Sequence, residues 1–217
     1  MKKKVLVIIL NLLVITWLII LQSTKVSATL GNAESIVYSS DNFDGEKNYA
    51  VSLKKIMENS GKNALIFERP KSVYGINSIL SNSDCTYISA KGLTDGSIIT
   101  LDKNYVYYRP DDVIKGMSGN LAFLSVCYGA KTDKVSGENL CTTLMNCGYR
   151  AVIGYESQIG VEEARAFEKE FFNNWMIDKK TLTNAFCSAK DYTSSRYGSN
   201  NPVSTSVRYF GNGALKH

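Results

Sequence analysis

Asn120–Lys131, NLAFLSVCYGAK, decides how this chain is read. Leu121–Val126 is a short apolar run that ends in Cys127 and breaks at Gly129. A run of this length, bounded by turn formers, predicts a buried strand. A cysteine at its C-terminal end lies on the rim of an open parallel sheet, where α/β folds place ligands and chemistry. Cys85–Gly92, CTYISAKG, predicts a second buried strand running into Lys91-Gly92.

Working outward, strands and helices alternate. Ser35–Ser40 predicts a first strand, followed by a polar loop at Asp41–Glu46. Tyr49–Asn59 has Ala50, Leu53, Ile56 and Met57 at helical spacing, with Ser60-Gly61 to stop it. Asn63–Phe67 predicts another strand, and Val73–Leu80 a short helix. Ser97–Leu101 and Tyr105–Tyr108, joined by Asp102-Lys103-Asn104, predict a β-hairpin. A short helix is expected within Arg109–Met117, started by Pro110. After the Cys127 strand come a polar loop at Lys131–Gly137, a helix at Glu138–Asn146 closed by Gly148, and a strand at Arg150–Tyr155.

Glu162–Ile177 is expected to be the longest helix, with Ala166, Phe167, Glu170, Phe171 and Trp175 along one face. Thr181–Asp191 predicts a helix, Ser194–Asn201 a mobile polar segment, and Val207–Phe210 a last strand. Such alternation implies a mostly parallel sheet covered on both faces, a three-layer α/β/α sandwich with a β-hairpin insertion.

Met1–Ala28 stands apart. Three lysines precede an uncharged run, Val5–Leu21, and Val26-Ser27-Ala28 offers small residues at the spacing of a cleavage site. This reads as a secretory signal ending at Ala28, with an uncleaved N-terminal anchor as the alternative. Both put residues 29–217 outside the cytoplasm, as a secreted domain or one tied to a membrane. The segment also carries four lysines and no acid, so the net +5 of the chain falls to +1 without it. Nucleic-acid binding thereby loses its main support.

The five cysteines are Cys85, Cys127, Cys141, Cys147 and Cys187. Cys141 and Cys147, six apart on a helix, point to different faces, which disfavours a bond between them. With no CxxC pair and one histidine in the chain, neither a metal site nor a cofactor is expected.

The order YISAKG, hairpin, LAFLSVCYGA, CGYRAVIGY and EEARAFEKEFFNNW resembles the caspase-like cysteine peptidases. It is most similar in character to the caspase-related bacterial families that include CHAT domains and gingipains. VRYFGNGAL resembles their closing strand, with Asn212 where they carry Asp. The resemblance covers Asp84–Leu215. It implies Cys127 as nucleophile, with the backbone N–H groups of Gly92 and Cys127 as oxyanion donors. It implies a peptide or protein as substrate or partner. It also places Glu156, Ser157 and Gln158 on the rim that forms the specificity pocket, where an acid selects a basic side chain.

The chain departs from the family at one decisive position. The residue before Gly92 should be the catalytic histidine, and here it is Lys91. The one histidine, His217, is the last residue, where fraying is expected. Lysine, at about 10.4 when unperturbed, is protonated at neutral pH and is no base. Burial of Lys91 would correct that, and a charged Lys91 would instead favour a Cys127 thiolate. Three outcomes follow: a peptidase scaffold kept for binding or regulation, an active hydrolase using Cys127 with Lys91, or an unrelated α/β binding domain.

Overall fold

A computed structural model of the chain describes residues 33–39, 45–100, 106–132 and 138–217. The expected signal segment, most of the Asp41–Glu46 loop, the hairpin turn and residues 133–137 lie outside them. Among the described residues no helix is long and apolar enough to cross a membrane.

The central sheet has six strands. They are β1 (Ala33–Tyr38), β2 (Ala64–Glu68), β3 (Ser83–Ser89), β7 (Leu121–Ser125), β8 (Ala151–Tyr155) and β9 (Val207–Gly211). Their order is β2-β1-β3-β7-β8-β9, all neighbours parallel except antiparallel β9 at the edge. A small second sheet holds β4 (Lys91–Gly92), β5 (Ile98–Thr100) and β6 (Val106–Tyr108), and is antiparallel throughout. It is the expected hairpin, with the Lys91-Gly92 segment added as a third strand.

Strand alternation sends side chains to both faces and builds two cores. Leu121 and Phe123 of β7 join one, with Tyr87 of β3 and Ile153 of β8. Helices α1 (Glu46–Asn59), α4 (Val161–Phe172) and α5 (Leu182–Tyr197) cover that face with Leu53, Phe167, Phe171 and Ala185. Ala122 and Leu124 join the other core, with Ile88 and Val152. Helices α2 (Val73–Ser81) and α3 (Leu140–Cys147) cover it, together with Ile98 and Tyr108 of the small sheet. The result is the mostly parallel three-layer α/β/α sandwich the pattern implied.

Four expectations change. The helix within Arg109–Met117 shrinks to one 3-10 turn, Pro110–Asp112. Asn77 Nδ2 takes the Asp112 carbonyl at 2.7 Å, the β-branched Val113 turns extended, and Gly116 has a positive φ. The long helix ends at Phe172 and continues as a π-helical turn, Asn173–Ile177. The wider turn rephases the chain so that Trp175 and Met176 are both buried. Its core face carries Ala164 and Glu168 where Ala166 and Glu170 were expected.

Ser194–Tyr197 is helical, since α5 runs on to Gly198. Thr193 and Ser195 donate their hydroxyls to the carbonyls four residues back, so these polar residues are satisfied inside the helix. Asn201 then caps a short helix, α6 (Pro202–Ser206). Finally, His217 is not frayed: its Nε2 lies 3.1 Å from Glu34 Oε1 with both side chains buried, and its ring meets Trp175 edge-on. All five cysteines are free thiols.

Candidate active site

Cys127 sits two residues past the end of β7, in a turn over Val126–Ala130. That turn is tied to the end of β8. Tyr128 N–H donates to the Ser157 carbonyl and Ala130 N–H to the Tyr155 carbonyl. Gly129 N–H closes the turn on Val126 O at 3.2 Å. Tyr128 has φ 63°, a left-handed conformation that costs a non-glycine residue about 1–2 kcal/mol. The surrounding bonds over-determine it, as is common where a side chain must be aimed. The Cys127 N–H, by contrast, makes no backbone hydrogen bond among the described residues.

The second strand end comes to meet it. Ala90 N–H donates to Ser125 O at 3.4 Å, and Lys91-Gly92 then swings into the small sheet. Gly92 presses on the turn: a Cβ there would stand 1.7 Å from the Cys127 carbonyl oxygen and 2.6 Å from Val126 Cγ1. Only glycine allows this approach.

Between the two strand ends opens a cleft of about 440 Å³. Cys127, Lys91, Gly92 and Gln158 all line it, with Ser89, Ser125 and Tyr87. Lys91 is exposed, so the burial required of a lysine base is missing. Ser157 contributes its carbonyl to the Cys127 turn. Glu156 does not line the cleft: its carboxylate pairs with Arg208 at 2.6 Å, and its N–H donates to Ser206.

The acid in the cleft is Glu46, at the end of the expected polar loop. It is the first residue of α1 and only 6 % exposed. Ser89 donates its hydroxyl to Glu46 Oε1. Arg165 Nη2 stands 4.0 Å from Oε2, a loose pairing, with its guanidinium over the Tyr49 ring. One layer deeper lies Glu168, with Tyr87 donating to Oε2 at 2.8 Å and Tyr155 to Oε1 at 3.2 Å. Burial pushes its carboxyl up to about 7, against the pull of these hydroxyls. Burial first, and Glu168 next, push the Tyr49 and Tyr155 phenols well above their usual range. No signal in the sequence separates Glu168 from the exposed acids beside it.

Among the described residues no cluster of His, Cys, Asp and Glu could hold a metal. The groups present are a thiol, two cations, a half-satisfied carboxylate and backbone donors at a strand-end cleft. That set suits the recognition of an extended chain carrying charge, or acyl transfer to Cys127 if a base were supplied.

No known family pattern and no characterised protein matches the sequence. Solved structures do match in shape. Gingipain R, an Arg-specific cysteine proteinase, superposes with a TM-score of 0.67 at 10% identity, over 84% of this chain and 47% of its own. The Porphyromonas gingivalis complex of RgpB pro- and mature domains gives 0.65 at 12%, over 86% of this chain and 48% of that one. The Saccharomyces cerevisiae separase–securin complex gives 0.60 at 16%, over 84% of this chain and 12% of that one. The chain thus spans less than half of each of these structures. The fold is that of the caspase-like cysteine peptidases.

Proposed function

We propose that this chain is an exported caspase-like cysteine-peptidase homologue that binds peptide or protein segments without efficient turnover. One observation carries the reading. The single histidine of the sequence is buried against Glu34, a residue at the N-terminal end of β1. Cys127 lies beyond the C-terminal ends of the same strands, so no imidazole serves the cleft. Lys91 stands exposed in the histidine's place, without the burial that a lysine base requires.

Binding needs less than catalysis does, and the cleft keeps those parts. The Cys127 N–H, which has no backbone partner among the described residues, donates to a carbonyl, and the Glu46 carboxylate, 4.0 Å from Arg165 Nη2, receives a basic side chain. The specificity of gingipain R for arginine agrees with that charge. The N-terminal segment supports export, and with it a partner outside the cytoplasm.

The test is a set of fluorescent peptides with Arg, Lys, Asp or Leu at one central position, each measured for binding and for cleavage. Arg and Lys peptides are expected to bind intact, and to bind Cys127→Ala equally well. Steady cleavage that vanishes in Cys127→Ala overturns the reading and establishes a Cys127–Lys91 hydrolase instead.

A further inference from the structure

The cleft takes up one end of the central sheet, beyond the C-terminal ends of its parallel strands. The opposite end has a charge of its own. Six cations lie on the connections that enter or leave the strands there. Lys62 is in the turn between α1 and β2, Lys115 in the chain leading to β7, and Arg150 in the turn entering β8. Lys179 and Lys180 follow the π-helical turn, and Lys216 follows β9. Lys115, Arg150, Lys179 and Lys216 are exposed, and Lys62 and Lys180 half-buried.

Hydrogen bonds tie these connections into one face. Gly116 and Met117 N–H both donate to the Cys147 carbonyl, which fixes the Lys115 segment to the end of α3, just before Arg150. Asn212 N–H donates to the Arg150 carbonyl at 2.9 Å, bringing in the exit of β9. Leu182 N–H donates to the Leu215 carbonyl at 2.9 Å, which sets Lys216 beside the Lys179-Lys180 turn. Lys179 Nζ donates to the Ser60 carbonyl at 3.5 Å, close to Lys62. Leu215 and the His217 side chain are buried on either side of Lys216 and keep that lysine outward.

Acids are few at this end. Glu58 is taken by Lys54 at 3.5 Å, and Glu34 by His217. Asp84 and Asp178 remain. Among the described residues none of the six cations has a carboxylate within 4 Å. Six cations against two acids put this end at +4, and residues 29–217 carry +1 in all, so the rest stands at −3. Charge separated in this way steers one end of a molecule toward an anionic partner. None of the six side chains is fully buried, so the face suits an extended anionic surface rather than one small anion held in a pocket.

The chain also enters here. Ala33 opens β1 at this end, and the uncharged run Val5–Leu21 ends eleven residues before it. Eleven residues reach at most about 40 Å when extended. An apolar run of that kind partitions into bilayers, and the chain that follows it leads to the basic end of the sheet.

We propose that this end of the domain is a docking face for an anionic phospholipid bilayer, which leaves the cleft at the other end turned away from the lipid. The proposal does not depend on what the cleft binds, and a cleft that binds no peptide leaves it standing.

The experiment is co-sedimentation of the full chain with vesicles of phosphatidylcholine alone or with about 30 % phosphatidylglycerol. Lys62→Gln with Lys179→Gln is compared with Lys47→Gln with Lys71→Gln, which removes the same charge at the cleft end of the molecule. The N-terminal segment is common to every variant and cancels. On the anionic vesicles the first pair is expected to bind about tenfold more weakly than wild type, and the second pair close to wild type. The difference is expected to vanish on neutral vesicles and at about 0.5 M salt. Two pairs that bind the anionic vesicles alike overturn the proposal. A loss seen with soluble heparin and not with vesicles overturns it too, and makes the face a polyanion site. If the first pair does not melt as wild type does, Lys115→Gln with Lys216→Gln takes its place and is read in the same way.

Discussion

Gly92→Ala tests whether the two strand ends form one site. The added Cβ would lie 1.7 Å from the Cys127 carbonyl oxygen and 2.8 Å from its carbon, where ordinary contact is roughly 3.5 Å. Both atoms are backbone, so no rotamer change relieves the clash. The Lys91-Gly92 segment and the Cys127 turn must part instead. Overpacking of this kind costs about 1–3 kcal/mol, and a backbone-to-backbone clash belongs at the upper end. For a domain of this size, about 3 kcal/mol lowers the melting temperature by roughly 6–12 °C. Peptide affinity should fall with it, because the cleft loses its shape. Gly61→Ala is the control: unlike Gly92 it has a positive φ, but nothing lies within 4 Å of a Cβ, so it carries only the backbone strain of about 1–2 kcal/mol. Thermal melts and fluorescence binding of the same samples decide. A Gly92→Ala protein that melts with wild type and binds peptide unchanged refutes the contact and the cleft built on it.

Other outcomes follow from the same structure. His217→Ala leaves Glu34, 1 % exposed, without its hydrogen-bond partner, and should cost about 1–3 kcal/mol by urea unfolding, while Glu34→Gln with His217→Ala recovers part of it. Glu168 makes stability depend on pH in an unusual direction for an acid. Its folded value of about 7 lies above the ordinary one, so the folded state holds the proton more tightly. Its contribution is complete below about pH 4.5 and is lost as pH rises through 7, on the order of 3 kcal/mol, and Glu168→Gln should flatten that part of the stability curve. Lys91→His places a His-Gly pair beside Cys127 and should speed its alkylation at pH 7 about tenfold, since imidazole lowers a thiol's pKa and accepts its proton.

The fold was legible because its core strands are short, apolar and bounded. Leu121–Ser125 and Ala151–Tyr155 are buried on both faces, and a parallel strand in that position reads as an unbroken hydrophobic run. Helix ends were harder. α5 runs past Asp191 because Thr193 and Ser195 satisfy their hydroxyls on its own carbonyls, a local bond invisible in composition. The cleft was half legible. Lys91, Gly92 and Cys127 follow from strand ends, which topology brings together whatever the side chains are. Glu46 and Arg165 meet only because α1 and α4 cover the same face of the sheet, a contact between residues far apart in sequence. Glu156 looked like the acid of the pocket from its place after β8, yet Arg208 on neighbouring β9 claims it.

The places where this chain breaks local rules are not scattered. Tyr128 is left-handed without being glycine, and Gly92 gives up every side-chain contact to let a backbone approach. Glu46 and Glu168 are carboxylates at 6 % and 0 % exposure. Each costs stability that a plain alternative would save, and Tyr128, Gly92 and Glu46 line the cleft that holds Cys127. Sequences keep such conflicts where function requires them. A scaffold drifting free of function should relax them first, because each has a cheap remedy: glycine at 128, an aliphatic residue at 168. Their joint presence argues that the cleft is in use, and on the proposed reading the burial of the one histidine against Glu34 limits what that use is. Recognition needs the shape and the charge that the cleft provides, while on the proposed reading repeated acyl transfer needs a proton acceptor beside Cys127, and the residue before Gly92 is Lys91.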